Sequence, residues 1–229
     1  MGDIDLSTFS VFGVGWRHRL VDHLEQVSHR LPMLSIENTY DLESLNKFHE
    51  RVAGLLEGES VEWVVELKID GVAASLIYED GLLVRGTTRG NGTVGDDITH
   101  NLRTICGLPL RLSGKHIPPL LEVRGEVYIA NSDLVQLNER QQAQGEPLYK
   151  NPRNAAAGCI RLLDPRICAT RPLRIFCHGV GHCEGISASD YWSFLTEIRE
   201  LGLPCTPAVK CFDDFTNAQQ YCETLSEQL

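Results

Sequence analysis

Residues 72–101 read VAASLIYEDGLLVRGTTRGNGTVGDDITHN. Two readings of this stretch lead to different folds. Gly90, Gly92 and Gly95 fit the spacing G-x-G-x-x-G, the fingerprint of a dinucleotide loop between the first strand and helix of a βαβ unit in a parallel sheet. Asp80-Gly81, flanked by apolar runs, instead marks a tight antiparallel hairpin, because glycine tolerates the positive φ such a turn demands. On the hairpin reading the three glycines follow the second arm of a hairpin. A dinucleotide loop also needs an acidic residue about 20 positions further on to hold a ribose, and Leu110 and Arg111 stand there instead. No G-x-x-x-x-G-K occurs, which removes a P-loop as well. The hairpin is the better reading, and it predicts a largely antiparallel sheet.

The flanking sequence adds elements on both sides. Leu20, Leu24, Val27 and Leu31 recur at helical spacing until Pro32. Leu42, Leu45, Phe48, Val52 and Leu55 predict a second helix near 41–57. VEWVVELKID (61–70) reads as a strand. Beyond the glycines come a short helix near 97–105, a strand over 119–130 and a helix near 132–144 that stops at Gly145. Asn151-Pro152 supplies an N-cap followed by proline at the first helical position. A strand over 173–181 and two amphipathic helices, DYWSFLTEIRELG and TNAQQYCETLSEQL, complete the chain. Hairpins mixed with helices give an α+β fold. Residues 1–16 read as a linker or cloning remnant, and 17–229 as the domain.

With 229 residues, 42% of them hydrophobic, the chain can build a sizeable core. It has no run of about 18 apolar residues, so no membrane span is expected, and no basic-then-apolar secretory leader. Eight cysteines are scattered without a C-x-x-C pair, which suits reduced thiols in a cytoplasmic protein. The net charge of -10 argues at first against nucleic acid. Its distribution reverses that: residues 85–174 hold thirteen Arg and Lys against eight Asp and Glu. An arginine-rich middle in an acidic envelope points to a local anion site.

VVELKIDG (64–71) carries the chemistry. In a strand, Glu66, Lys68 and Asp70 share one face while Val65, Leu67 and Ile69 take the other. A solvated ion-pair ladder would explain the pattern; so would a nucleophilic lysine. The second explanation makes a demand. A neutral amine must attack, its ordinary pKa is about 10.4, and two carboxylates raise it further. Desolvation, a cation or a metal must supply the compensation.

Lys68-x-Asp70-Gly71 resembles the nucleotidyltransferase motif of DNA ligases and capping enzymes. With PMLSIEN (32–38), residues 66–105, LEVRGEVY (121–128) and NPRNAAAGCIRLLDPRICATRPLRIFCHGVG (151–181), the chain closely resembles the adenylation domain of bacterial NAD-dependent DNA ligase over nearly all of 30–229. The resemblance implies a nucleotidyltransferase (adenylation) fold of antiparallel sheets flanked by helices, incomplete at its C-terminus. It implies that Lys68 takes AMP from NAD, passes it to the 5′-phosphate of nicked double-stranded DNA, and that the 3′-hydroxyl then seals the nick. It makes Lys68 and Asp70 catalytic, Asp70 holding the lysine or a transient Mg2+. Ser35, Ile36 and Glu66 become adenosine contacts, Arg89 and Glu126 ribose or phosphate contacts, and Arg153 and Arg161 phosphate or DNA contacts. The fingerprint match of the glycine loop is then accidental.

The resemblance further implies a DNA ligase (NAD+) acting in the cytoplasm at the nucleoid, away from membranes and as a monomer. No metal site is expected in this chain. CHGVGHC (177–183) puts adjacent Cys-His pairs on opposite strand faces, and the family's zinc lies in a four-cysteine module absent here. An acid-Gly-Val-Val-x-Lys motif, a Lys-Phe-Pro segment and a nicotinamide-binding cap domain are absent too, so the expectation is a truncated domain, inactive by itself. An ATP-dependent relative and a nucleotide-binding remnant without catalysis remain as alternatives.

Overall fold

A computed structural model of the protein describes residues 21–56 and 58–228. The segment expected as a linker lies outside them. In chain order the elements are β1 (Gln26–Ser28), α1 (Leu42–Leu55), β2 (Trp63–Val65), β3 (Val72–Glu79), β4 (Leu82–Thr88), β5 (Val94–Asp96), α2 (Thr99–Leu102), β6 (Leu120–Tyr128), α3 (Asn131–Ala143), α4 (Pro152–Ile160), α5 (Pro165–Cys168), β7 (Arg174–Glu184), α6 (Tyr191–Glu200), β8 (Lys210–Phe212) and α7 (Phe215–Gln228).

The Asp80-Gly81 turn is the seed. Asp80 has φ 47° and Gly81 φ 77°, the paired left-handed residues of a tight hairpin turn. β3 and β4 pair antiparallel across it. β3 pairs on its other edge with β6, and β6 with β7, giving the order β4-β3-β6-β7. Two-stranded antiparallel pairs, β1-β5 and β2-β8, flank this sheet. The fold is α+β with antiparallel sheets. The glycine loop turns β4 into β5. Gly90 has φ 56°, and a Cβ there would meet the Val94 carbonyl oxygen at 1.9 Å. Its glycine serves a tight chain reversal, which accounts for the accidental fingerprint.

Side-chain alternation divides the large sheet into two faces. On one, Ala74, Leu76 and Tyr78 of β3 and Leu121, Val123 and Val127 of β6 are fully buried. They join Ile98, Leu102, Ile160, Leu195 and Ile198 in one core. On the other, Ala73 lies opposite Glu126 and Ser75 opposite Arg124. α4 packs on β3 and β6. Its start follows the sequence chemistry: the Asn151 side chain accepts from Asn154 N, with Pro152 in the first turn. Ala155, Ala156, Cys159 and Ile160 bury one side of this helix. Buried Asn101 ties α2 to its far end, donating to the carbonyls of Ile160 at 2.7 Å and Leu162 at 2.6 Å.

Three expectations need correction. The apolar spacing through Leu24, Val27 and Leu31 does not form a helix; Gln26–Ser28 is a strand. The backbone finds its partners across the chain instead: Asp97 N donates to Glu25 O at 2.7 Å and His29 N to Thr93 O at 2.8 Å. The strand expected over 61–70 is only Trp63–Val65. Its partner β8 starts at Lys210, just after Ala208 turns the chain at φ 58°, so Glu66–Asp70 has no ladder to follow. The helix expected over 97–105 is a single turn, Thr99–Leu102.

Candidate active site

Eight residues singled out from the sequence line one cleft of about 690 Å³: Ser35, Ile36, Glu66, Lys68, Arg89, Glu126, Arg153 and Arg161. The large sheet forms its floor through Glu126 and Arg124 of β6 and His178 of β7. One wall is the segment Met33–Asn38, which crosses in front of the sheet. Arg124 holds that segment by donating to the carbonyls of Leu31 at 2.8 Å and Pro32 at 3.0 Å. Met33 N donates to Gly92 O at 2.8 Å. Arg89 reaches the same segment, donating to Ser35 Oγ at 3.2 Å. The opposite wall comes from α4, where Arg153, Ala157 and Arg161 line the cleft. Steps of four residues put them in one stripe of a helix. A smaller cavity of about 420 Å³ near Val21–Glu25 holds none of the predicted residues.

Lys68 is exposed and Glu126 half-buried. Burial raises the Glu126 carboxyl above its ordinary value; the charges of Lys68 and Arg153 and a hydrogen bond from the Gly71 backbone pull it down, and Asp70 pushes it up. Lys68, Asp70, Glu126 and Arg153 therefore form one electrostatic unit. Arg153 pairs with Asp70 at 3.2 Å, and Arg161 with Asp96 at 2.8 Å. Glu66 is held on both oxygens: Tyr191 Oη donates to one at 2.8 Å and Thr206 Oγ1 to the other at 2.9 Å. Burial lowers the His178 imidazole below its ordinary value, opposed by Glu66.

Asp70 is the one predicted residue outside the lining. Because Glu66–Asp70 leaves the sheet after Val65, strict alternation fails there: Leu67 and Ile69 line the cleft beside Glu66 and Lys68. Asp70 meets the site from its rim, through Arg153. Sequence reasoning missed four residues. Period-two alternation with Glu126 places Arg124 on the cleft face, a signal present in LEVRGEVY. His178 drew notice only as a metal candidate; it lines the cleft while Cys177 is wholly buried. Nothing in the sequence marks Tyr191 or Thr206, which arrive from distant parts of the chain. All eight cysteines are free thiols. No helix among the described residues is long and apolar enough to cross a membrane.

An antiparallel α+β scaffold whose cleft gathers a lysine, half-buried and rim carboxylates, and a stripe of arginines is that of a nucleotidyltransferase adenylation domain. The chain belongs to the NAD-dependent DNA ligase adenylation-domain family, whose model matches residues 21–228. It is 51% identical over 211 residues to a DNA ligase of Rhodopirellula baltica, covering 88% of this chain and 30% of that protein. It is 47% identical over 206 residues to a DNA ligase of Nitrosococcus oceani, covering 90% and 30%. A DNA ligase of Carboxydothermus hydrogenoformans is 45% identical over 203 residues, covering 89% and 30%. The chain thus spans about 30% of the length of these curated relatives.

Proposed function

We propose that this chain is the part of an NAD-dependent DNA ligase that carries the adenylation site, active in the longest natural form of the protein. Lys68 attacks the α-phosphorus of NAD through its neutral amine. A P–N bond forms, the pyrophosphate P–O bond breaks, and nicotinamide mononucleotide leaves. Lys68 then passes AMP to the 5′-phosphate at a nick in double-stranded DNA, and the 3′-hydroxyl displaces AMP to seal it. Glu66, Ser35 and Ile36 hold the adenosine, and Arg89 and Glu126 the ribose and its phosphate. Arg153 and Arg161 face phosphates, which arginine's planar fork suits.

The observation that carries this reading is the single cleft on which the exposed Lys68, the carboxylates Glu66 and Glu126, and the arginines Arg89, Arg153 and Arg161 converge. A magnesium ion would neutralise charge on the phosphates when bound. The donor set fits one that arrives with substrate: no three His, Cys, Asp or Glu side chains gather at a metal-holding spacing among the described residues. Mg2+ is commonly held by one or two carboxylates plus substrate phosphates, and Asp70 and Glu126 are suited to that part. A cytoplasmic, DNA-associated monomer belongs to the same proposal.

The test is adenine-labelled NAD with magnesium, applied to the longest natural form of the protein, followed by peptide mapping. Label on the Lys68 peptide supports the proposal; equal labelling of a Lys68→Arg variant would move the nucleophile elsewhere. A polypeptide of these 229 residues alone is expected to give no detectable label. The two lysine motifs that the resemblance adds are absent from its sequence, and one lost preorganised donor costs roughly 3–4 kcal/mol. A mass increase of one AMP on that polypeptide would show those motifs to be dispensable for the first step.

A further inference from the structure

Glu66 lies one residue past the end of β2, in a segment without strand partners. No backbone ladder sets its direction, and a glutamate side chain left to itself visits several rotamers. Two hydroxyls remove that freedom. Tyr191 Oη donates to Glu66 Oε1 at 2.8 Å and Thr206 Oγ1 to Oε2 at 2.9 Å. Thr206 is 3% exposed, so its hydroxyl has little choice of partner. Tyr191 opens α6, and its backbone is fixed by a capping box between Asp190 and Ser193. The carbonyl oxygen of His178, a residue lining the cleft beside Glu66, lies 2.5 Å from the same hydroxyl and can only accept, so the one phenolic proton is shared between it and Glu66 Oε1, and Thr206 is the undivided donor. Burial, then the Glu66 charge, push the Tyr191 phenol above its ordinary value. It keeps its proton and remains a donor.

We infer that Tyr191 and Thr206 are positioning residues that hold the Glu66 carboxylate as a fixed acceptor, so that the cleft selects a purine bearing a 6-amino group over one bearing a 6-carbonyl. The inference rests on the nucleotide-binding reading above and names what enforces it. An ionised carboxylate only accepts hydrogen bonds. With one lone pair of each oxygen taken by a hydroxyl, the remaining acceptor sites point in set directions. A 6-amino purine offers them an N–H. Held in the same pose, a 6-oxo purine sets carbonyl oxygen against carboxylate oxygen, and only a shifted base could offer its N1–H to a carboxylate that does not move; sites built for a hydrogen bond discriminate strongly on such a mismatch. Without the two hydroxyls Glu66 can swing away, and the 6-oxo ligand no longer meets it.

The measurement is the AMP:IMP affinity ratio, by calorimetry or ligand-observed NMR, on the longest natural form of the protein and its variants. The unaltered chain is expected to favour AMP by about tenfold or more, the scale of one hydrogen bond of about 1.4 kcal/mol. Tyr191→Phe with Thr206→Val keeps both shapes and removes both hydroxyls, and should bring the ratio close to one. Tyr191→Phe alone should move it the same way. A purely structural role would weaken AMP and IMP together and leave the ratio standing. Glu66→Gln should lower or invert the ratio, since glutamine can also donate. If Glu66→Gln shifts the ratio and the hydroxyl variants do not, the inference falls and the nucleotide reading survives. An unaltered chain that binds AMP and IMP equally also overturns the inference. One that binds neither overturns both.

Discussion

The four-stranded sheet and α1 with the segment leading into it are built on opposite terms. Leu76, Tyr78, Leu121 and Val123 of the sheet are at 0% exposure. α1 buries no residue at all. It is held by rings at its surface, His49 stacked on Phe215 at 4.1 Å and Phe48 against Trp63 at 6.3 Å. Exposed pairs, Lys47–Glu43 and Arg51–Glu37, add little. The preceding segment leaves Leu34 82% and Ile36 69% exposed, though Arg124 and Gly92 anchor its start. The cleft therefore has a rigid floor and a lightly attached wall. A surface with few buried contacts opens locally at low cost, which suits the passage of a nucleotide proposed above.

The contrast fixes what mutations should do. The largest effect is chemical: Lys68→Arg in the longest natural form should abolish AMP labelling with no change in melting temperature, because the residue is exposed and arginine is never neutral. A lowered melting temperature would assign Lys68 a structural role. Next comes the floor. Leu76→Ala should cost about 2–5 kcal/mol in denaturant unfolding, whereas Leu34→Ala in the wall should leave the midpoint in place. Equal losses would show that the wall is part of the core.

Helix caps give a finer comparison. Asn151→Ala removes the cap of α4, which has four buried residues, and should lower stability by about 1 kcal/mol. Asp41→Ala removes the matching cap of α1, whose side chain accepts from Ser44 N at 2.7 Å. There, amide exchange within α1 should quicken while global melting stays put. The smallest effect is at Glu126. Burial raises its carboxyl in the fold, so the native state binds that proton more tightly than the unfolded chain does. Its contribution is fully present below the ordinary carboxylate range and is lost as pH rises through the folded value. Glu126→Gln should therefore raise the melting temperature at neutral pH, with the gain vanishing below about pH 4. A gain that persists in acid would point to packing.

Local chemistry was legible in the sequence wherever a turn or cap is decided by neighbours. Asp80-Gly81 and Asn151-Pro152 needed no tertiary information, and the apolar spacing over Leu42–Leu55 found a helix. It did not say whether that helix is buried, since an amphipathic pattern records a face and not what covers it. The Leu24–Leu31 spacing failed because β5 offers the backbone better partners than a helical turn does. Alternation around Lys68 failed because a strand's period holds only while a partner strand runs beside it. Most of the cleft was readable from motif segments. The residues that orient Glu66 were not, because Tyr191 and Thr206 reach it across 125 and 140 positions of chain.

β6 interleaves two jobs in nine residues. Leu121, Val123 and Val127 face the core, while Glu122, Arg124 and Glu126 face the cleft side. The two jobs are not fully separate: Glu126 lines the cleft, while Arg124 also anchors the Leu31–Pro32 backbone and buried Glu122 accepts from Ser75 Oγ and His182 N. A single residue gained or lost here would have to be absorbed by a bulge, as the register shifts against β7 already are. An uncompensated slip of one would turn the carboxylates toward the core and the aliphatic side chains toward the cleft. A change of letter on this strand is read by one face alone, whereas a change of length is read by both.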